Sequence, residues 1–218
     1  MGEGIAHIIS PLTAPWYGWT LLLLFLFAIL SEWLQPGVIT KAKETLRAHN
    51  DRMYKDAPTN ALAQVLITFY RIGVLALALC LSFGSYDNFS FLAFLIIIGL
   101  ILGVLVTKML CNVWLDYTFM LSRRFGVAYE HYSNILTMVC VWSYPFLLLF
   151  MHFGNQTIAR WLLGIFAVVF LILWVYRSAR LYVQSVLSLI YLLVYIVTLE
   201  LLPMAVLVLL SAKTISIL

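Results

Sequence analysis

The chain is predicted to be all-α and polytopic: one membrane domain over 1–218, a bundle of about six transmembrane helices with both termini outside. Three observations predict this. Sixty-four per cent of the residues are hydrophobic and only 10% are charged, against ~25% charged in an average soluble domain. Several apolar runs reach the ~20 residues that a helix needs to cross a bilayer. Those runs are continuous, not alternating, which argues against a membrane β-barrel.

The first span is expected at Pro15–Leu34, with Trp16, Trp19 and Trp33 as interface anchors. The second is expected at Ala61–Phe83 and the third at 89–108. The fourth and fifth fall at 133–153 and 158–176. The sixth lies within 181–210, a run longer than one straight crossing requires, so it must tilt, kink or begin at the interface. The connection 108–132 is amphipathic. Asn112 and Asp116 share a helical face, and the third span is expected either to run on into this stretch or to be followed by an interfacial helix.

Basic residues set the orientation. Lys41, Lys43, Arg47, Arg52 and Lys55 lie in the loop 35–60. Lys108, Arg123 and Arg124 lie in 108–132, and Arg177 and Arg180 follow the fifth span. The opposite side carries Arg160 and Lys213. Ten against two, with Arg71 set aside as intramembrane, places the three basic connections in the cytoplasm. The stretch 41–55 either fixes topology alone or also docks anionic lipid or a cytoplasmic partner. The N-terminus lacks a basic n-region and the Ser/Thr of a myristoylation signal, so neither a cleaved signal peptide nor that anchor is expected.

Polar residues inside the spans are the candidate functional positions. Gln64, Thr68 and Arg71 form one stripe on the second span. Arg71 lies about 15 Å from Ala61 at ~1.5 Å per residue, near mid-bilayer, where an arginine costs ~2.5–3.5 kcal/mol on insertion scales. It either snorkels to the cytoplasmic interface or finds an acceptor within the bundle. Ser133, Thr137, Cys140 and Tyr144 form a second stripe, followed by Pro145. Ser188, Tyr191, Tyr195 and Thr198 form a third. Such stripes more often cement helices than line a path. Gly99 and Gly103 have the small-xxx-small spacing of close helix approach.

Glu200 stands three residues before Pro203, which withdraws an N–H from the carbonyl of Leu199 and predicts a kink there. A carboxylate in lipid needs a partner or a proton. Three readings are open: a buried Arg71–Glu200 pair locking span two to span six, a Glu200 wetted at the outer interface, or a proton-carrying carboxylate. At the cytoplasmic interface, Asp116, Glu130 and His131 are the candidates for acid–base work, beside the plainer reading of an interfacial helix start.

No G-x-S-x-G, H-E-x-x-H or P-loop is present. The four histidines and the single, scattered Cys80, Cys111 and Cys140 form no metal or redox motif. No catalytic, cofactor-binding or metal-ligating residue is expected, no cofactor, and no nucleic-acid partner.

YEHYSN at 129–134, Tyr144–Pro145 in the next span, YRSARLYVQS, and TLELLP at 198–203 within YLLVYIVTLELLPMAVLV together resemble an uncharacterised membrane-protein family of Bacteroidetes, domain of unknown function 4271. The specific motifs lie in 129–208. The family's lysine shortly after the proline comes late here, at Lys213. The resemblance implies a multi-pass inner-membrane protein of a Gram-negative bacterium and no activity; in such a membrane the outside termini set by the basic residues are periplasmic. Missing catalytic motifs, short loops and packing stripes point to a non-catalytic structural or assembly subunit of a cell-envelope complex. Its expected partners are the lipid bilayer and other membrane proteins. The alternatives are a small transporter or proton-coupled carrier using Glu200 and Arg71, and an enzyme acting on lipid at the cytoplasmic interface.

Overall fold

The computed structural model describes residues 15–37, 39, 60–83, 91–119, 122–153, 156–182 and 197–217. These form six helices and, among the described residues, no strand. They are α1 Pro15–Leu34, α2 Ala61–Phe83, α3 Phe91–Phe119, α4 Ser122–Phe153, α5 Gln156–Tyr182 and α6 Leu202–Ile217, with a π-helical turn at Val197–Leu201 ahead of α6. The first two match the sequence expectation at both ends. Helices α3, α4 and α5 run longer than their apolar windows, because helical propensity does not stop where the bilayer does. The third span continues past Lys108 as one 29-residue helix, and α4 starts at Ser122, before its apolar part. The connection 108–132 is thus largely the facing ends of two helices.

Five helices are long and apolar enough to cross a bilayer. The sixth span is described only from Val197 on, as the π turn and the 16-residue α6. It ends at Ile217, beyond the predicted limit of 210. The residues 183–196 of that predicted span lie outside the described set. The π turn sits where Pro203 predicts a break. The missing N–H and the ring's clash with the Leu199 carbonyl unseat the i−4 ladder, and one widened turn absorbs the mismatch.

Helix α2 is the hub. Two-thirds (67%) of its apolar window is buried, against 17–33% for the other four long helices. It packs against α1, α3, α4, α5 and α6. Its small side chains explain this, since Ala63, Gly73, Ala76 and Cys80 let neighbouring backbones approach. At Gly73 an added Cβ would overlap the Leu24 side chain. The pairs Tyr17 with Cys80, Leu24 with Gly73 and Phe27 with Phe69 show α1 running antiparallel to α2. Leu21, Leu24, Ile67, Leu77, Ile97 and Cys140 belong to one core around α2. Ile135, Val139, Phe170 and Trp174 form a second core between α4 and α5.

The loop between α1 and α2 is pinned at its base. Glu32 accepts the N–H groups of Gly37 (2.7 Å) and Ile39 (3.0 Å), and Gly37 has the positive φ of 93° that glycine tolerates. The side-chain Oε1 of the buried Gln35 accepts the N–H of Asn60 at 3.3 Å. Asn60 in turn caps α2 by accepting the Leu62 N–H at 3.1 Å.

Candidate functional site

Arg71 sits ten residues into α2, on the buried face. Its carbonyl lies opposite Cys140, whose thiol is 4.0 Å away. Its guanidinium is elsewhere: Nη1 donates to the Ser133 hydroxyl at 2.7 Å. Ser133 precedes Cys140 by seven residues, about 10 Å along α4 at ~1.5 Å per residue. The side chain therefore reaches back toward the start of its own helix, as helical side chains do. It leaves mid-span for the end where the Tyr132–Leu149 span begins. Of the two readings posed from sequence, the bundle supplies the internal acceptor, Ser133 of α4.

Lys108 arrives at the same place from α3. Its Nζ lies 3.5 Å from the centroid of the Tyr132 ring, a cation–π contact. Arg71 and Lys108 are each only 8% exposed, and they engage consecutive residues of α4. Both take part in further interactions. Tyr132 is held in place edge-on to Phe170 and Trp174 of α5, at ring distances of 5.3 and 5.2 Å.

These residues close one end of a cavity of about 780 Å³ between α2, α3, α4, α5 and α6. Thr68, Arg71, Lys108, Tyr132 and Ser133 line that end. Away from it the walls are almost wholly apolar, with Leu81, Leu147, Ala159 and Leu163 at the far end. Ser143 also lines the wall, but its hydroxyl is engaged by the Cys140 carbonyl at 3.0 Å. Among the described lining residues none is acidic.

Four other polar side chains join helices, while Thr20, Ser31, Thr68, Ser82, Thr107, Thr137 and Ser143 donate to carbonyls of their own helices. Tyr17 donates from α1 to the Leu147 carbonyl of α4 at 2.9 Å, and Tyr144 donates from α4 to the Leu21 carbonyl of α1 at 2.8 Å. Tyr70 donates to the Cys140 carbonyl at 3.3 Å. Arg160 of α5 donates to the Ser82 carbonyl at 2.6 Å, satisfying an orphan acceptor at the end of α2. In the α4 stripe Ser133, Cys140 and Tyr144 are used in this way, while Thr137 donates to the Ser133 carbonyl of its own helix at 2.8 Å. Of the α2 stripe only Arg71 is, because Thr68 donates to the Gln64 carbonyl of its own helix at 2.7 Å and Gln64 is only half-buried.

Other candidates separate. Tyr144 and Pro145 border a second hollow of about 480 Å³, with Glu32, Tyr70 and Phe25. Pro203 is half-buried in the first turn of α6, and the Glu200 backbone lies in the π turn. Glu130 is exposed. The side chains of Glu200, Asp116 and His131, the residue Tyr195, and the basic stretch 41–55 lie outside the described residues, as do the readings that rest on them. Among the described residues, no three His, Cys, Asp or Glu side chains come together as a metal site. Gly99 and Gly103 bring no helix close: a Cβ on either would meet nothing within 4 Å. The close approach is at Gly73, whose spacing carries no such motif. Sequence reading also misses Lys108, which reads as a topological charge, and Tyr17, Tyr70 and Arg160. A hydroxyl at a span's end and an arginine near one give the only signals.

Five span-length helices, one of them the hub for the rest, define a multi-pass α-helical membrane protein. The family described as domain of unknown function (DUF4271) matches residues 17–210. The chain belongs to that family. Neither curated proteins nor solved structures give a match.

Proposed function

We propose that the chain is a non-catalytic multi-pass protein of the bacterial inner membrane, serving as a structural or assembly subunit of a cell-envelope complex. One observation carries this reading. Five polar side chains on four helices, Tyr17, Tyr70, Tyr144, Ser133 and Arg160, are committed to bonds between helices. Such groups hold a scaffold in shape and leave little for chemistry. Purification from native membrane in mild detergent tests it: the chain is expected to retain stoichiometric membrane-protein partners. Recovery of a lone monomer that restores a deletion strain's growth would refute it.

The cavity favours a second reading, a small carrier that uses Arg71. This reading predicts solute flux into proteoliposomes that is lost in Arg71→Gln. A sealed vesicle with no flux of any anionic solute removes it. The interfacial enzyme has no comparable support, as Glu130 is exposed and away from the cavity lining.

A further inference from the structure

Helix α4 turns one face out of the bundle, and that face suits lipid poorly. Trp142 is 47% exposed there. It lies ten residues beyond Tyr132, where the α4 span begins, about 15 Å into a ~30 Å core at ~1.5 Å per residue. Cys140, two residues before it, stands opposite the Arg71 carbonyl in the middle of α2. Tryptophan favours the two interfaces of a bilayer, and an indole N–H kept from water needs an acceptor. Among the described residues none accepts from Trp142. A matching acceptor lies on the same face. Pro145, inside α4, has no N–H, so the Val141 carbonyl loses its usual partner within the helix, and Pro145 is itself exposed. Beside it opens the hollow of about 480 Å³, between Phe25, Ile29 and Trp33 of α1 and Val141, Tyr144 and Pro145 of α4.

We propose that two copies of the chain pair through this face of α4, the Trp142 ring of each seated in the other's hollow and its N–H donating to the other's Val141 carbonyl. The face is self-complementary, as a two-fold interface must be. At ~100° per residue, Trp142 and Pro145 stand about 60° apart around α4, with Met138 and Leu149 between them. Two copies inserted the same way are related by an axis along the membrane normal, so residues of equal depth meet. An axis passing beside Met138 sets each Trp142 against the side of the other α4 that carries Pro145, ring to hollow and donor to acceptor. Lipid tails would fill the hollow but satisfy neither polar group. A second copy supplies the ring, the donor and the acceptor together, at matching depth. The pairing goes beyond the assembly role, because it needs no other subunit.

The test is energy transfer between donor-labelled and acceptor-labelled copies of the purified full chain, in bilayers of phosphatidylethanolamine and phosphatidylglycerol at rising lipid-to-protein ratio. Transfer is expected to follow a monomer–dimer equilibrium. Trp142→Phe keeps a ring and loses the N–H. It should raise the dissociation constant about three- to tenfold, the scale for two hydrogen bonds between membrane helices. Trp142→Ala should raise it further. Trp161→Ala, which removes an exposed ring from α5, should leave it unchanged. With the half-buried Cys111 replaced by Ser, a Met138→Cys chain should cross-link to itself on oxidation, and Ile172→Cys on the exposed side of α5 should not. A monomer at every dilution overturns the proposal. So does an unchanged constant in either Trp142 variant, or cross-linking through Ile172→Cys in place of Met138→Cys. A monomer in these bilayers would leave the assembly reading to its own test in native membrane, so the two fail separately.

Discussion

Single residues decide where this bundle tolerates change. Gly73 faces Leu24 so closely that a Cβ forces that side chain to move. Gly73→Val should therefore lower stability in detergent by about 1–3 kcal/mol, the range for overpacked cores. Gly73→Ala should lower it less, because a leucine end can swing. Gly99→Val should be close to neutral, since nothing lies within reach. Thermal unfolding of the three variants checks the order. Ser133 is the other sensitive position. Removing its hydroxyl takes a hydrogen bond from a buried guanidinium, worth about 1.5–3 kcal/mol, so Ser133→Ala should unfold earlier than Thr137→Ser, which keeps its hydroxyl. None of this was evident from the residues alone. Glycine spacing pointed to Gly99 and Gly103 because a motif records what a helix offers, not which neighbour stands opposite.

At the level of elements, α1 is held to α4 by two reciprocal tyrosine bonds one turn apart, Tyr17 to Leu147 and Leu21 from Tyr144. Hydrogen bonds between membrane helices average ~0.6 kcal/mol. Tyr17→Phe and Tyr144→Phe should each weaken the contact by about that much. The double variant should show raised amide hydrogen exchange in α1. A different check applies to the π turn. Pro203→Ala restores the missing donor, so the Leu199 carbonyl should gain its i+4 partner and the turn should relax to α-helix. Protection of the amide that this substitution introduces reads the change directly in hydrogen exchange. An unprotected amide there would show that something other than the proline sets the turn. Here the sequence was informative about place but not about form. A proline marks a defect in the ladder, while whether the chain kinks, frays or widens depends on what packs against it.

For the whole molecule, hydrophobic length alone located α1 and α2 to the residue, because their ends coincide with polar loops. It misjudged α4 and α5, whose helices continue into polar sequence where length has no signal, whereas the amphipathic pattern after Lys108 had already pointed to the run-on of α3. The basic end of the cavity was half legible: Arg71 stood out as a charge in oil, whereas Lys108 looked like an ordinary boundary residue. Only the fold brings them to consecutive positions of α4. Orientation can be checked independently of any function. Reporter fusions in 40–59 and at 120–121 should read the same side of the membrane, and a fusion in 84–90 the other. A mixed result would reverse the positive-inside assignment.

The bond between Arg71 and Ser133 has a consequence for biosynthesis. The two residues are 62 positions apart in the chain. At ~5–20 residues per second, the ribosome needs ~3–12 s to make the second after the first. For that interval the charged helix exists before its serine acceptor does. Newly made α2 must wait in the insertion machinery, or shelter against α1, until α4 emerges, so a ribosome stalled before codon 133 should leave α2 extractable by alkali.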